Sequence, residues 1–319
     1  MILLLGASGY VGQSFAAELA RRGTAFTPFS RREVDYSRFD VLLEFLRRTK
    51  PGFVINAAGY AGVPNVDACE TARAETLAGN TLLPVTIAHA CAAAGIPWGH
   101  VSSGCIYNGA WLGEEGSRRL AADLNHPEVR RIAESTPHAL AGFTETDEPN
   151  FTFRHPPSSF YSGSKALAEE AVSGGQTFLW RMRMPFDQSD HPKNFLTKLL
   201  RYDRLYDSLN SLSHRADFVR ACLDLWERRA PFGTYNVTNP GFSSTRHVVR
   251  LIEKLLKPGR NFRFFGSDEE FYRVAAKAPR SNCVLDVSKL LAAGIKLRPV
   301  EEALVDSLTH WTASASSRA

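Results

Sequence analysis

The stretch Tyr161-Ser-Gly-Ser-Lys165 sets a phenol and an ammonium four residues apart. On a helix that spacing puts both on one face. A cation beside a phenol lowers its pKa toward working pH, and such a phenol can exchange a proton with a carbonyl or hydroxyl. Ser103 closes the run Val101-Ser102-Ser103, where a strand end would bring a hydroxyl to the same place. Cys105 follows two residues later and, in extended chain, shares the face of Ser103. A thiol near Lys198 or Lys165 gains thiolate character and can take a proton alpha to a ketone. The competing reading of Cys105 is a buried apolar filler, the commoner fate of a free cysteine. Lys198 reads equally as a partner in that proton exchange or as a solvated helix lysine.

Residues so far apart in sequence need a scaffold. Apolar runs at Ile2–Leu5, Ala25–Pro28, Phe53–Asn56, Trp98–Ser102 and Phe178–Met182 read as strands. Helical patterns at Gly12–Gly23, Phe39–Arg48, Ala72–Ala94 and Tyr161–Ser173 separate them. This alternation predicts an α/β fold: a doubly wound parallel sheet of Rossmann type, with helices on both faces. Residues 1–184 form the expected dinucleotide-binding domain, with a rim insertion at 110–142. Residues 185–319 form a smaller, mainly substrate-binding C-terminal lobe, with segments around 203–240 returning to the Rossmann core.

Gly6-Ala-Ser-Gly9-Tyr-Val-Gly12 follows the first strand and opens a helix. Gly6 permits a tight turn, Gly9 lets backbone approach a pyrophosphate, and Gly12 lets helix pack on strand. The helix N-terminus offers free N–H groups to phosphates, so Ser8, Tyr10 and Val11 join the expected cofactor contacts, with Asn56-Ala57-Ala58 after the third strand. The second strand ends in Ser30-Arg31-Arg32. An acidic residue there would suit a ribose 2′-hydroxyl; two arginines suit a 2′-phosphate, which favours NADPH over NADH. Asp35 and Tyr36 are expected near the adenine.

The 319 residues are 44% hydrophobic and 22% charged, with a net charge of +5. That composition excludes a disordered or fibrous chain. The charge is mild and dispersed; it fits an acidic small substrate and gives no case for nucleic acid. The five cysteines (Cys69, Cys91, Cys105, Cys222, Cys283) and nine histidines show no ligand spacing, so no metal is expected. His100, His155 and His191 read as structural or surface groups, and Trp98 and Trp180 as strand packing. Unpaired thiols suit a reducing, cytoplasmic setting. No signal peptide and no membrane-length apolar run is expected. The insertion is polar, with Glu114, Glu115, Arg130 and Arg131, and reads first as a solvated helical rim, second as a lid over the substrate. The tail Thr312–Ala319 reads as frayed.

The Tyr-x-x-x-Lys pair behind a glycine loop is the arrangement of the extended short-chain dehydrogenases/reductases. Longer motifs narrow the resemblance: Asn65-Val-Asp-Ala-Cys-Glu70, Gly104-Cys-Ile-Tyr107, Arg181-Met-Arg-Met-Pro185, Asn194-Phe-Leu-Thr-Lys198 and Ala278-Pro-Arg-Ser-Asn282. Over nearly the whole chain they resemble the plant nucleotide-rhamnose synthases, bifunctional 4-keto-6-deoxyglucose 3,5-epimerase/4-reductases. The dTDP-4-dehydrorhamnose reductases are more distant. The resemblance implies that Ser103 bonds the sugar C4 oxygen, that Tyr161 donates the proton in reduction, and that Lys165 holds the cofactor ribose. It implies Cys105 and Lys198 as the epimerisation acid/base pair. It places Arg280 and Asn282 near the substrate diphosphate and adds Pro64, Asn65 and Asn194 to the substrate contacts. Asp67 and Glu70 would cap, or face, a long-helix interface of a homodimer. The expected partner is therefore a nucleotide-diphosphate sugar. The alternatives are a nucleotide-sugar epimerase or isomerase with tightly held NAD(P) and no net redox, and a non-catalytic dinucleotide sensor. The insertion at 110–142 departs from the plant enzymes and leaves the sugar open.

Overall fold

Ile2 and Leu4 turn to one face of the first strand, Leu3 and Leu5 to the other, and all four are buried. A strand buried on both faces belongs to a parallel sheet covered on both sides. The computed structural model describes residues 1–31, 33–113 and 117–313, and shows that sheet. Its strands are β1 (Ile2–Leu5), β2 (Phe26–Phe29), β3 (Phe53–Asn56), β4 (Trp98–Ser103), β5 (Thr177–Met182) and β6 (Gly233–Asn236). They lie in the order β2-β1-β3-β4-β5-β6, all parallel. The strand order reverses between β1 and β3, so the loops after those two strands part and leave a crevice at their C-terminal ends.

Helices α1 (Tyr10–Arg21) and α5 (Arg215–Glu227) cover one face, with Phe15, Leu19, Phe218, Val219 and Cys222 packed on Phe53, Phe178 and Trp180. Each such side chain contributes roughly 1.5–3 kcal/mol on leaving water. Gly99 is required beneath them: a Cβ there would meet the Trp180 ring at 2.0 Å. The other face carries α2 (Phe39–Thr49), α3 (Arg73–Ala94, with a π-type turn at Ala78–Leu82) and α4 (Phe160–Val172). Contrary to expectation, α3 is long and apolar enough, by length and composition, to cross a membrane. Here it packs against α2 and α4 and buries Leu83, Ile87, Ala90 and Cys91 in the core.

The insertion differs from the expected solvated helix. Ala110–Leu112 pairs antiparallel with Arg119–Ala121 and with Leu140–Ala141, and the helix Pro127–Ser135 packs beside them. Leu112, Leu124, Val129 and Leu140 form an apolar core with Leu209 and Val284 of the C-terminal lobe. These apolar residues are scattered among charges and converge only when the strands pair. Glu114 and Glu115 lie outside the described residues. A second core, with Phe186, Leu199, Val248, Ile252 and Leu304, holds together the helices Phe195–Arg201, Thr245–Leu255 and Val300–Thr309. Thr312, expected to fray, is tied down: its N–H donates to the Gln188 carbonyl at 2.8 Å. Residues 314–319 lie outside the described residues.

Candidate active site

The glycine loop leaves β1 with Gly6 at φ +76°, where an added Cβ would stand 2.5 Å from the Ala58 nitrogen. A Cβ on Gly12 would stand 2.0 Å from the Gly6 carbonyl oxygen. Both glycines therefore let the loop close on itself and on the turn after β3. Gly9 caps α1 with extended backbone and no side-chain cap, which leaves the first N–H groups of α1 for an anion. Gly9, Tyr10 and Val11 face Ala57, Ala58 and Gly59 across the crevice. Ser8 is exposed at the rim, and its carbonyl takes the Gln13 amide at 3.1 Å.

One expected cofactor contact serves the fold, and a second lines the crevice while its side chain turns elsewhere. Asn56 is buried and does not line the crevice; its amide meets His100 Nδ1 at 3.0 Å and accepts the Ala58 N–H at 3.0 Å. The Tyr10 side chain turns into a cluster: its hydroxyl donates to Asp187 at 3.1 Å, and its ring stacks on His191 at 4.5 Å under the Arg215 guanidinium. Beyond β2, the Ser30 N–H and hydroxyl both donate to Glu33, and Arg31 is exposed beside them. Arg32 lies outside the described residues. Tyr36 is buried, with the Gly6 backbone hydrogen-bonded to its phenol, and Asp35 is exposed.

Ser103, Tyr161 and Lys165 meet at the floor of the crevice. The start of α4 is fixed twice. The Ser159 hydroxyl accepts the Ser162 N–H at 3.0 Å, and Glu70 accepts the Phe160 N–H at 2.8 Å. Glu70 thus caps the helix that carries Tyr161. Ser103 is hydrogen-bonded to the Tyr161 phenol. Burial and the neighbouring Cys105 push Tyr161 upward, against the Ser103 bond and Arg183. The expected downward shift from Lys165 is not what the geometry gives. The Lys165 ammonium donates to the Val101 carbonyl at 3.2 Å, and burial lowers it to about 8. Asn80, which sequence reading passed over, clamps the wall opposite: it exchanges two hydrogen bonds with the Tyr60 backbone at 2.8 Å and donates to Ser164 at 3.2 Å. Its signal was an amide in the middle of an otherwise apolar helix.

After Ser103 the chain turns at once into the 3-10 turn Gly104–Ile106, so Cys105 does not follow an extended path. The Ser103 hydroxyl caps that turn, accepting the Cys105 N–H at 3.2 Å, and the thiol lines the same cavity. The cation that reaches the sulfur is neither lysine: Arg183 Nη1 donates to Cys105 Sγ at 2.7 Å. Lys198 lies on another wall, lowered to about 8 by burial first and by Lys193 and Arg280 second, with Cys105 acting to raise it.

The cavity measures about 890 Å³ and runs from the glycine loop to the C-terminal lobe. Pro64, Asn65, Arg280 and Asn282 line it, with Lys193 and Lys198 supplying further cations. Asp67 does not face outward; it binds Arg280 and accepts the Lys277 and Ala278 N–H groups at 3.1 and 3.0 Å. Asn194 does not reach the cavity. It caps the helix Phe195–Arg201, and its amide is spent on Asp187 and Ser189. No described residue of the insertion lines the cavity. Among the described residues no cluster of histidine, cysteine or carboxylate could hold a metal.

The family model of the RmlD substrate binding domain matches residues 1–313. A bifunctional dTDP-4-dehydrorhamnose 3,5-epimerase/dTDP-4-dehydrorhamnose reductase of Arabidopsis thaliana is 30% identical over 95% of this chain and 90% of its own. A trifunctional UDP-glucose 4,6-dehydratase/epimerase/reductase of the same plant is also 30% identical, but the chain spans only 41% of it. Among solved structures, the UDP-rhamnose synthase of Acanthamoeba polyphaga mimivirus superposes with a TM-score of 0.80 at 23% identity, over 97% of this chain and 98% of that one. A dTDP-4-dehydrorhamnose reductase of Bacillus anthracis, in complex with NADP, gives 0.74 at 20% identity, over 97% of each chain. These two likenesses show the shared fold.

Proposed function

Because the chain belongs to the RmlD substrate binding domain family, we propose that it acts on a nucleotide-linked 4-keto-6-deoxyhexose, epimerising C3 and C5 and reducing the C4 ketone with NADPH. The observation that carries this reading is one cavity lined by two proton-handling sets: Ser103, Tyr161 and Lys165 on the floor, Cys105 and Lys198 on the walls.

The crevice fits a dinucleotide. The Gly6 and Gly12 positions admit no Cβ, the N-terminus of α1 presents unpaired N–H groups, and Gly59 leaves space beside Lys165 Nζ. The bound nicotinamide supplies hydride. Gly9, Tyr10 and Val11 would hold the phosphates, Ala57 and Ala58 the adjoining groups, Lys165 the ribose and Arg31 a 2′-phosphate.

In epimerisation, Cys105 as thiolate removes the proton from C3 or C5, each alpha to the C4 ketone. The electron pair moves onto the C4 oxygen, which the Ser103 hydroxyl holds. Lys198 returns a proton to the opposite ring face and restores the ketone with inverted configuration. With a pKa of about 8, its ammonium both gives and regains a proton near neutral pH. In reduction, Tyr161 donates its phenolic proton to the C4 oxygen as hydride reaches C4. Arg280 and Asn282 hold the diphosphate.

The test is a panel of nucleotide 4-keto sugars incubated in deuterated water with NADPH or NADH and read by mass and NMR. Deuterium at C3 and C5, with oxidation of NADPH in preference to NADH, is the expected result. Arg31→Ala should narrow the preference between the cofactors. Turnover without net NADPH oxidation would shift the reading to an epimerase or isomerase that keeps its cofactor.

A further inference from the structure

Arg183 follows β5 and is buried between the sheet and the C-terminal lobe. Its guanidinium is held on three sides. Nε donates to Asn210 Oδ1 at 3.2 Å, Nη2 donates to Asn210 Oδ1 and to the Ser281 carbonyl, and Nη1 donates to Cys105 Sγ at 2.7 Å. Asn210 is itself pinned: its Oδ1 also accepts the Cys283 N–H at 2.9 Å, and its amide donates to Ser208 at 3.1 Å. We propose that Arg183 is the positioning residue of the epimerisation half-reaction, orienting the sulfur of Cys105 and compensating its charge. This rests on the reading of Cys105 as the base.

A guanidinium has donors and no acceptor, so at this contact the sulfur must turn a lone pair toward Arg183. That arrangement suits a thiolate better than a thiol. The identity of the cation matters as well. Lys165 and Lys198 both come down to about 8, so either could hand a proton to a neighbouring thiolate and quench it. An arginine does not release its proton under working conditions. Arg183 thus keeps a fixed charge beside the base, while Lys198 remains free to trade protons across the sugar. Burial works to lower Arg183, and Cys105, Cys283 and Tyr161 hold it up. Because its anchors Asn210 and Ser281 belong to the C-terminal lobe and Cys105 to the turn after β4, the base is set in place only where the two halves close together.

The experiment compares the unmodified protein with Arg183→Met and Arg183→Lys. Cys105 lines the cavity and is part-exposed, while the other four cysteines are buried, so its alkylation by iodoacetamide at neutral pH can be followed by peptide mass spectrometry. Arg183→Met should slow that alkylation by about tenfold and slow C3 and C5 deuterium exchange by about a hundredfold. Reduction of a keto-sugar that already carries the epimerised configuration should fall much less than exchange does, since Ser103, Tyr161 and Lys165 form a proton route that Arg183 touches only through its charge on the Tyr161 phenol. Arg183→Lys, which keeps a charge but not the fork, should fall between. Unmodified alkylation in a folded Arg183→Met protein overturns the proposal. So does a loss of reduction in proportion to exchange, which would make Arg183 a support of the whole site. If Arg183→Met does not fold, Arg183→Lys decides: slower alkylation at an unchanged melting temperature supports the proposal, and an unmodified rate overturns it. The alkylation arm needs no sugar. Absence of exchange in the unmodified protein would therefore overturn the proposed function while leaving the Arg183–Cys105 pairing standing on its own measurement.

Discussion

Asp67 and Arg280, 213 positions apart, form a two-pronged ion pair across the cavity mouth, with both guanidinium Nη atoms 2.7 Å from the carboxylate. Asp67 comes from the segment after β3 and Arg280 from the C-terminal lobe, so the pair joins the sheet domain to that lobe. It also holds the cation assigned to the substrate diphosphate in one orientation before substrate arrives.

Asp67→Asn should lower stability by about 1–3 kcal/mol through loss of charge-assisted hydrogen bonds in a mostly covered site. It should raise KM for the nucleotide sugar more than it lowers kcat, because Arg280 loses its orientation. Asp67 is held below its ordinary carboxylate value by Arg280 and the Ala278 and Lys277 N–H groups, which outweigh the opposing effect of burial. A group with a depressed folded pKa stabilises above its unfolded value, and that contribution disappears as pH falls through the folded value. The acid limb of urea-denaturation stability should therefore be shallower in Asp67→Asn.

Tyr161→Phe should reduce hydride transfer to a keto-sugar by at least about a hundredfold, by removing the oxygen that supplies the proton. The Ser103 hydroxyl keeps its bond to the Cys105 N–H, so deuterium exchange at C3 and C5 should survive. Equal loss of both activities would show that the two proton sets are not separate.

Lys198→Met should stabilise the protein near pH 7 by about 1 kcal/mol, because the part-exposed ammonium gives up only part of its hydration on folding. Burial lowers Lys198 to about 8 from 10.5, so between those values the unfolded chain binds more protons and the unmodified protein gains stability as pH rises. Denaturation midpoints of the two proteins should converge across that window. The same variant should lose solvent exchange at C3 and C5.

Gly12→Ala should cost about 3 kcal/mol, because its Cβ would meet the Gly6 carbonyl oxygen at 2.0 Å and the backbone must shift to admit it. Displacing the loop moves the N–H groups at the start of α1, so dinucleotide affinity should fall along with the melting temperature. Calorimetric titration with NADPH and a thermal melt would read both. An unchanged cofactor affinity in a destabilised protein would separate the loop from the phosphate site.

The sequence by itself determined the doubly wound sheet. A four-residue apolar strand, a glycine loop and an amphipathic helix are local patterns, and each forms from the preferences of neighbouring residues. The spacing of Tyr161 and Lys165 was legible for the same reason, since one helix fixes both. Tertiary structure decided the rest. An asparagine or aspartate does not disclose its partner in sequence: Asn56 and Asn194, expected to meet ligands, spend their amides on His100 and on Asp187 and Ser189, while Asp67 meets Arg280 inside the cavity. The apolar residues of the insertion gain a common core only when its strands pair. Arg183 stood inside the Arg181–Pro185 motif with no partner to read, because the Cys105 sulfur it holds lies 78 positions away and the two meet only through the alignment of β4 with β5. Patterns that repeat along the chain follow from backbone geometry and can be read locally. The pairing of one polar atom with another is set by which segments the folded core brings together, and no local pattern records it.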